Sequence, residues 1–278
     1  MQFKKNTKLT LQNEVKKVSF NNKTLILGFS YEFMSFSFFL KKKQQPLFDG
    51  LIDFHNHLLP GIDDGSTSVD QSLEMLDLYA DLGIKKVISS PHIYKDLYPN
   101  TKESIQASFA KLDKASKTHE VELLGFAAEY LVDEFFMRAV AAQEKQLCCF
   151  GKHILIEIPF FDQLKRLNEV LYMLQNQGYF PILAHPESYA ALETTAAVED
   201  LKHKGAKMQL NALSLVGYYG AEVQKKASLW LKKGLFDLIG TDAHNPYQLN
   251  KLRDLHLSKK ELLAWKKICA EQTALIAP

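Results

Sequence analysis

The stretch Ile52–Gly65 reads I-D-F-H-N-H-L-L-P-G-I-D-D-G and sets the interpretation of the whole chain. Its first three residues predict a short buried strand. His55 and His57 follow two residues apart, so on an extended backbone their imidazoles project to the same side. The Pro-Gly pair predicts a turn that returns Asp63 and Asp64 toward those imidazoles. Converging imidazoles and carboxylates hold borderline transition metals, so this stretch predicts a metal site at a strand end.

Composition excludes several classes of protein. The chain has 278 residues, enough for one large α/β barrel or two small domains. Its 46% apolar and 24% charged residues are ordinary for a globular protein, and a net charge of +2 gives no drive toward nucleic acid. Three cysteines, two of them the neighbours Cys148 and Cys149, make no disulfide framework. We therefore expect a reducing, cytoplasmic location and no nucleic-acid partner.

Residues 1–48 differ from the rest of the chain. Their apolar stretch is interrupted by serines and Glu32, so it is too short and polar to span a bilayer. No small-residue cleavage site precedes the run Lys41–Lys43, which argues against a signal peptide. We expect an N-terminal extension that is disordered or loosely packed, with Met34 as a candidate true start. An alternative is that residues 36–43 form an aromatic and basic anchor for anionic lipid at the inner face of the membrane.

From residue 49 to 278 short apolar runs alternate with amphipathic helical patterns, which predicts one domain. The predicted strands cover residues 52–54, 86–90, 121–127, 153–158, 181–184, 207–211 and 237–240. The predicted helices cover residues 68–82, 101–118, 133–143, 164–177, 198–204, 221–233 and 258–276. Regular alternation of strand and helix predicts an α/β barrel with parallel strands and outer helices.

Polar side chains stand at or just past the ends of these strands. They are His55, His57, His92, Glu129, Glu157, His185, Asp242 and His244. In a parallel barrel the carboxyl ends of the strands share one face, and active sites are built there. Any one of these residues alone is more often structural. The whole set at successive strand ends predicts a metal centre.

These residues, in this order, resemble the polymerase and histidinol phosphatase (PHP) superfamily. Within it the chain is similar to the manganese-dependent bacterial protein-tyrosine phosphatases of capsule and exopolysaccharide synthesis. The segments that carry the resemblance are Asp53–His57, Pro60–Gly65, Ser90–His92, Ala128-Glu129, Ile156-Glu157, Ala184–Glu187 and Thr241–Asn245. The resemblance implies a distorted TIM-like (PHP) barrel of about seven strands and a PHP metallophosphatase domain over residues 49–278.

The resemblance also implies a cluster of up to three divalent ions, with Mn²⁺ first and Fe, Zn, Co or Mg as alternatives. The implied ligands are His55, His57, Asp64, His92, Glu129, Glu157, His185, Asp242 and His244. Glu129 would bridge two ions, Asp63 would support the ligands from outside, and Asp64, His92 and His244 would take part most directly in catalysis. Three divalent ions outweigh the four ligand carboxylates, so the site attracts a phosphate dianion, and a metal-activated hydroxide would attack phosphorus.

One departure from the family pattern concerns the phosphate contact. The family usually has Arg after Ala184–Glu187, and this chain has Ser188. Lys95 and Arg253 are the nearest basic candidates, although Lys offers a point charge where Arg offers a bidentate fork. The expected substrate contacts are Lys95, Tyr94, Tyr98, Ser188 and Tyr189. With Tyr130, Phe160 and Phe161 the tyrosines could form a mouth for a phosphotyrosine ring, or pack loops against the barrel.

Residue spacing argues against one other phosphatase mechanism and one protease class. A cysteine-dependent phosphatase needs Arg six residues after the nucleophile, but Ile154 and Leu155 occupy those positions after Cys148 and Cys149. No H-E-x-x-H helix of a zinc protease is present. The favoured function is a metal-dependent protein-tyrosine phosphatase. The alternatives are a histidinol-phosphate or other small phosphomonoester phosphatase, and a metal-loaded regulatory module with weak or no catalysis.

The binding partner is inferred from the resemblance alone. The resemblance implies a phosphotyrosine protein, namely a membrane tyrosine autokinase that controls polysaccharide export. An N-terminal segment at the inner membrane face would keep the enzyme near that kinase. The sequence gives no indication of the oligomeric state.

Overall fold

The computed structural model describes residues 47–159 and 164–276. The predictions made for residues 1–46, including the Met34 start and the lipid anchor, lie outside the described residues. So do Phe160 and Phe161. The described residues pack within one compact unit that spans residues 45–278.

Parallel strands form the centre of the fold. Within the described residues the strands are β1 (Ile52–Asp53), β2 (Lys86–Ser89), β3 (His92–Ile93), β4 (Glu122–Phe126), β5 (Glu129–Leu131), β6 (His153–Glu157), β7 (Phe180–Ala184), β8 (Lys207–Asn211) and β9 (Leu238–Gly240). Their order is β1-β2-β4 in one sheet and β3-β5-β6-β7-β8-β9 in the other. All of these pairings are parallel.

Two of the predicted strands are each followed, after a gap of two residues, by a short strand that was not predicted. The chain that leaves β2 continues into β3, and the chain that leaves β4 continues into β5. Pro91 has no N–H for the ladder, and its carbonyl instead accepts a hydrogen bond from the Glu129 amide at 3.0 Å. Glu129, predicted to follow a strand, therefore begins one. Counted as passes of the chain, the strands number seven, as the sequence predicts.

Polar contacts join the first strand to the last. Asn56 and Ala243 form a parallel bridge, and the Asp242 amide donates to the His55 carbonyl at 2.8 Å. The buried carboxylate of Asp53 accepts hydrogen bonds from the amide and the hydroxyl of Thr241 at 3.1 and 2.6 Å. The strand order thus returns to its start, and the predicted TIM-like barrel is confirmed.

Successive side chains of each strand point to opposite sides of the sheet. One set fills the inside of the barrel, and the other set packs against the outer helices. In β6, Leu155 points into the barrel, whereas Ile154 and Ile156 point outward to the helices. Strands that are buried on both faces read as continuous apolar runs, which is why this one was recognisable in the sequence. Each fully buried Leu or Ile stabilises the fold by roughly 1.5–3 kcal/mol.

Helices cover the outside of the barrel. They are α1 (Val69–Leu82), α2 (Lys102–Ala115), α3 (Glu134–Ala141), α4 (Leu164–Asn176), α5 (Thr195–His203), α6 (Ala212–Leu215), α7 (Ala221–Lys233), α8 (Pro246–Leu252) and α9 (Lys259–Ile276). A 3-10 turn covers Pro186–Ser188. In the described part of the chain no helix is both long and apolar enough to cross a membrane.

One predicted helix starts at a different residue, and two short helices were missed. The helix predicted from Val198 begins at Thr195, because the Thr194 side chain accepts a hydrogen bond from the Ala197 amide and caps it. The short helices α6 and α8 were not predicted. The start of α8 carries a sequence signal, since Asn245 caps it and Pro246 occupies its first position.

Candidate metal centre

Three groups of His, Asp and Glu side chains meet at the carboxyl ends of the strands, and within each group the ligand atoms lie within 4.8 Å of one another. The groups are His55, His57, Glu129 and Asp242; His92, Glu129 and Glu157; and His57, Asp64, His92 and His244. His185 adjoins the second group, with its Nε2 3.1 Å from Glu129 Oε1 and 3.9 Å from Glu157 Oε2. The structure thus brings together all nine residues predicted as ligands.

The first group is buried and has the dimensions of an ion site. His55 Nε2 lies 3.2 Å from both Glu129 Oε2 and Asp242 Oδ1. His57 Nε2 lies 3.5 and 3.3 Å from the same two oxygens. Ligands about 2.1 Å from a common ion lie about 3.4 Å apart in a tetrahedron and about 3.0 Å apart in an octahedron. These spacings fit one divalent ion at the centre.

Unpartnered atoms support the same fit. His55 Nε2, His57 Nε2 and Glu129 Oε2 are buried, and none has a partner in hydrogen-bond geometry within the described residues. Buried polar atoms without partners are rare because desolvation is costly, and a metal ion would satisfy all three. Two imidazoles and two carboxylates suit a borderline divalent transition metal.

Outer partners fix the two buried imidazoles. Gln209 Oε1 lies 2.9 Å from His55 Nδ1, and Asp63 Oδ2 lies 2.8 Å from His57 Nδ1. Each contact assigns the proton to Nδ1 and leaves Nε2 directed at the centre. Asp63 also accepts from the Gly65 amide at 2.9 Å and from the His92 amide at 3.1 Å. The carboxylate therefore supports two ligands and the loop between them.

The loop Pro60–Gly65 packs directly against His57. The Ser66 amide donates to the His57 carbonyl at 3.0 Å. A Cβ on Gly65 would lie 2.3 Å from that carbonyl oxygen and 2.4 Å from His57 Cβ. Only glycine allows this close approach, which explains why the segment P-G-I-D-D-G ends in glycine.

The third group lies at the exposed edge of the centre. Asp64 Oδ1 is 3.6 Å from His92 Nε2 and 3.7 Å from His244 Nε2, and the Asp64 side chain is 53% exposed. The rings of His57 and His244 stack at 3.8 Å. His92 also faces the second group, because its Nδ1 lies 3.2 Å from both Glu129 Oε2 and Glu157 Oε1. A neutral imidazole has one acceptor nitrogen, so His92 completes one of the two groups at a time.

Two of the ligand candidates have unusual backbones. His185 has a φ of 34° and Asp242 a φ of 51°, both in the left-handed region that non-glycine residues rarely adopt. Ser188 Oγ donates to the His185 carbonyl at 2.7 Å, and Asn211 Nδ2 donates to Asp242 Oδ2 at 2.7 Å. Such strain persists where neighbouring contacts hold it, and it concentrates at functional sites.

Electrostatics in the centre compensates for burial. Burial acts to lower the pKa of His55, but the carboxylates of Glu129 and Asp242 hold that pKa well above its ordinary value. Against the same effect of burial, the hydrogen bond and charge of Glu129 raise the pKa of His185 to about 9. Burial acts to raise the pKa values of Glu129 and Asp242, but the facing imidazoles hold them well below their ordinary values. A metal ion must displace imidazole protons here, so its affinity falls at low pH.

His244 differs from the other imidazoles. Burial, and then the positive charge of His57, lower its pKa, so the ring stays neutral near pH 7. Its Nδ1 lies 2.9 Å from the Asp242 carbonyl, which leaves Nε2 facing Asp64. A neutral ring at the exposed edge can accept an ion without first losing a proton.

The predicted substrate contacts are placed in different surroundings. The Tyr98 ring stacks on His92 at 5.5 Å, and the Tyr94 amide donates to the Tyr98 carbonyl at 3.0 Å, so both lie beside the centre. Lys95 Nζ lies 4.7 Å over the Phe135 ring. Ser188 contacts His185 and serves as its support.

Three residues considered for the mouth or the phosphate are engaged elsewhere. Tyr189 is 2% exposed, and its hydroxyl accepts from the Ile158 amide, so it belongs to the core. Tyr130 is likewise buried, with its hydroxyl accepting from the Leu147 amide. Arg253 pairs with Asp81 at 2.6 Å. Tyr189, predicted as a substrate contact, therefore has no surface to offer a substrate.

Sequence reasoning missed three supporting residues. Gln209 and Asn211 are buried and alternate with the apolar Met208 and Leu210 in strand β8, which is a signal for buried polar partners. The hydroxyl of Tyr219 donates to Asp242 Oδ2 at 3.4 Å and accepts from Asn211 Nδ2 at 3.2 Å. No local pattern marks Tyr219, because its contact depends on where the β8 and β9 loops meet.

Comparison with known proteins gives one family. The family model described as capsular polysaccharide synthesis, CpsB/CapC, matches residues 51–273. The chain is 28% identical to CapC of Staphylococcus aureus over 229 residues, which cover 78% of this chain and 89% of that protein. It is 27% identical to the tyrosine-protein phosphatase YwqE of Bacillus subtilis over 223 residues, 80% of this chain and 86% of YwqE.

Solved structures agree on the fold. Crystal structures of YwqE from Bacillus subtilis and CpsB from Streptococcus pneumoniae are described as unique metal-dependent tyrosine phosphatases. The match to them has a TM-score of 0.65 at 26% identity and covers 80% of this chain and 95% of the other. An amidohydrolase from Mycoplasma synoviae matches with a TM-score of 0.50 at 13% identity, covering 83% of this chain and 89% of that chain, which shows the fold alone.

Proposed function

Because the chain belongs to the capsular polysaccharide synthesis family CpsB/CapC, we propose that it is a metal-dependent protein-tyrosine phosphatase. The observation that carries the proposal is the buried group of His55, His57, Glu129 and Asp242, in which three atoms lack hydrogen-bond partners among residues 47–159 and 164–276. Relatives that match over most of their length are named tyrosine-protein phosphatases, which supports the substrate class.

We assign different roles to the ligands buried in the barrel and to the ligands at the exposed edge of the centre. His55, His57, Glu129 and Asp242 would hold one ion deep in the barrel. Glu129 also contacts His92 and His185, so its carboxylate can serve two ions at once. Divalent ions in such a centre act as Lewis acids on phosphoryl oxygens and lower the pKa of water.

The exposed edge faces the substrate. Asp64, His92 and His244 line it, and Asp64 is the most exposed of the nine candidate ligands. These three residues would position the phosphate at the entrance to the centre. A tyrosinate has a conjugate-acid pKa of about 10 and departs more easily than an alkoxide, so the site needs little general acid.

The phosphate contact differs from the family pattern. Ser188 supports His185, Lys95 contacts Phe135, and Arg253 pairs with Asp81. Lys95 is the candidate that can swing toward a phosphate, because releasing one exposed cation–π contact costs only about 0.5–1 kcal/mol. Because the side chains of Ser188, Lys95 and Arg253 are engaged in these contacts, we expect the phosphate to be bound by the ions and by the residues of the exposed edge. These contacts also keep a weakly catalytic regulatory role as the second candidate function.

Several finer points belong to the same proposal. We take Mn²⁺ as the ion, since the His and carboxylate donor set suits it. The substrate we propose is a phosphotyrosine protein, in particular a membrane tyrosine autokinase of polysaccharide export. We propose a cytoplasmic location at the membrane face, with contact through the aromatic and basic residues 36–43.

The test is hydrolysis of a phosphotyrosine peptide by metal-stripped protein, with and without added Mn²⁺. His185→Ala should abolish the Mn²⁺-dependent turnover, whereas His256→Ala, a change of an exposed histidine, should preserve it. Preferential turnover of histidinol phosphate would establish the small-phosphomonoester alternative. Bound metal without turnover of either substrate would establish the regulatory alternative.

A further inference from the structure

Three exposed tyrosines stand beside the metal centre. We call Tyr218, Tyr219 and Tyr247 the aromatic rim. They are 39%, 39% and 60% exposed. Isolated exposed apolar residues are normal on a protein surface, but a contiguous group marks an interaction site. The rim has no part in the packing of the barrel core.

The rim is continuous with the metal centre. The Tyr219 hydroxyl lies 3.4 Å from Asp242 Oδ2, and Asp242 is a candidate ligand of the buried ion. From Tyr219 the ring of Tyr218 is 5.0 Å away at 85°, and from Tyr218 the ring of Tyr247 is 6.4 Å away at 55°. The three rings are therefore consecutive neighbours, and the two ring-to-ring distances together match about three residues of extended peptide.

The backbone holds the inner part of the rim in place. Gly217 and Gly220 have φ values of 75° and 95° and flank the two tyrosines in a tight turn. The Tyr218 amide donates to the Leu213 carbonyl at 3.2 Å, and the Gly220 amide donates to the Gly217 carbonyl at 3.0 Å. Binding to a surface already fixed in this way costs little conformational entropy.

Charge is present at the outer end of the rim. Lys251 Nζ lies 5.4 Å over the Tyr247 ring. Both residues lie on α8, which begins directly after the candidate ligand His244. A ligand that leaves the metal centre along the rim therefore meets ring faces first and a positive charge last.

We propose that the aromatic rim binds the residues that flank the phosphotyrosine in a protein substrate. A flat apolar ring, either aromatic or proline, packs on Tyr218 and Tyr247, and an acidic residue beyond it pairs with Lys251. Ring faces favour such partners through edge-to-face and stacked contacts. The inference rests on the proposed phosphatase function, since the phosphate must occupy the centre to align its neighbours with the rim.

The test compares long and short substrates in the Mn²⁺-loaded full-length protein. The substrates are free phosphotyrosine and two phosphotyrosyl peptides that differ only in phenylalanine or alanine at the flanking positions. Tyr247→Ala and Tyr218→Ala should raise KM for the phenylalanine peptide about three- to tenfold. Free phosphotyrosine, which is too short to reach the outer rings, should keep its kcat/KM within about twofold, and Tyr247→Phe should restore the peptide KM.

Tyr172→Ala is the matched control, because Tyr172 is 69% exposed on α4 and lies outside the rim. It should leave both substrates unchanged. Equal KM for the two peptides in the wild type, or an unchanged peptide KM in both rim variants, would overturn the inference while turnover of free phosphotyrosine still supports the phosphatase function. Loss of turnover for every substrate in the wild type would instead overturn the proposed function itself.

Discussion

The buried and exposed groups of the metal centre are built in different ways. In the buried group the side chains of His55, His57 and Glu129 are fully buried and that of Asp242 is 8% exposed. In the exposed group Asp64 is 53% exposed, and its distances to the imidazoles are longer. An outer partner contacts Nδ1 of each buried imidazole, whereas the carboxylate of Asp64 lies near the imidazoles of His92 and His244.

The difference shows which ligands have their orientation fixed by neighbouring residues. Outer contacts from Gln209, Asp63 and Asn211 fix the orientation of the buried ligands before any ion arrives. At the exposed edge, looser spacing leaves room for a substrate phosphate between the ligands. We therefore expect the buried group to determine metal retention and the exposed group to determine substrate turnover.

The largest effect should come from the buried carboxylate. Asp242→Asn should lower turnover more than about 100-fold and remove tightly bound metal, since one charge of a buried ligand set is lost. Asp64→Asn should lower turnover about tenfold and leave the tightly bound metal in place. Metal content by elemental analysis and kcat separate the two variants. Equal metal loss in both would contradict the division into a buried and an exposed group.

The next effect tests the outer contacts. Asp63→Asn should lower metal affinity about 10- to 100-fold, because His57 Nδ1 loses its charged partner and the ring is no longer fixed. A chelator competition assay measures this change. Asp254→Asn, at an exposed position, is the control. Unchanged affinity in Asp63→Asn would show that packing alone orients His57.

A third prediction concerns the loop against His57. Gly65→Ala should lower the free energy of unfolding by about 1–3 kcal/mol, since a Cβ there overlaps the His57 carbonyl. Gly125→Ala is the matched control, because a Cβ at that glycine meets nothing within 4 Å. Urea unfolding of the metal-free proteins compares them. A destabilisation as large in Gly125→Ala would attribute the effect to glycine replacement in general.

The smallest effect should be the pH dependence of the metal-free protein. His185 has a folded-state pKa of about 9, above the ordinary value of about 6.5. The folded state therefore binds this proton more tightly, so its stabilising contribution is complete below pH 6.5 and is lost as the pH rises through 9. Melting temperature should fall over that range, and His185→Gln should flatten the slope. An equally steep slope in the variant would assign it to other groups.

The prediction of the fold succeeded where a local sequence pattern indicates whether a segment is buried and where it begins and ends. Strands buried on both faces, such as β6, are continuous apolar runs, and helices such as α1 have a serine cap at one end and a glycine at the other. Short elements were missed, because four or seven residues, as in α6 and α8, give too little periodicity. The break before Glu129 followed from pairing with Pro91 across strands, which no local pattern records.

The sequence by itself determined the barrel and the set of side chains at its carboxyl end, because strand polarity places successive strand ends on one face. Only the tertiary structure decided how those side chains are supported and which aromatic residues are exposed. Gln209, Asn211 and Tyr219 act through contacts between distant parts of the chain, and Tyr189 is buried where Tyr247 is exposed. Such contacts depend on distances between elements, whereas the sequence records mainly the spacing within them.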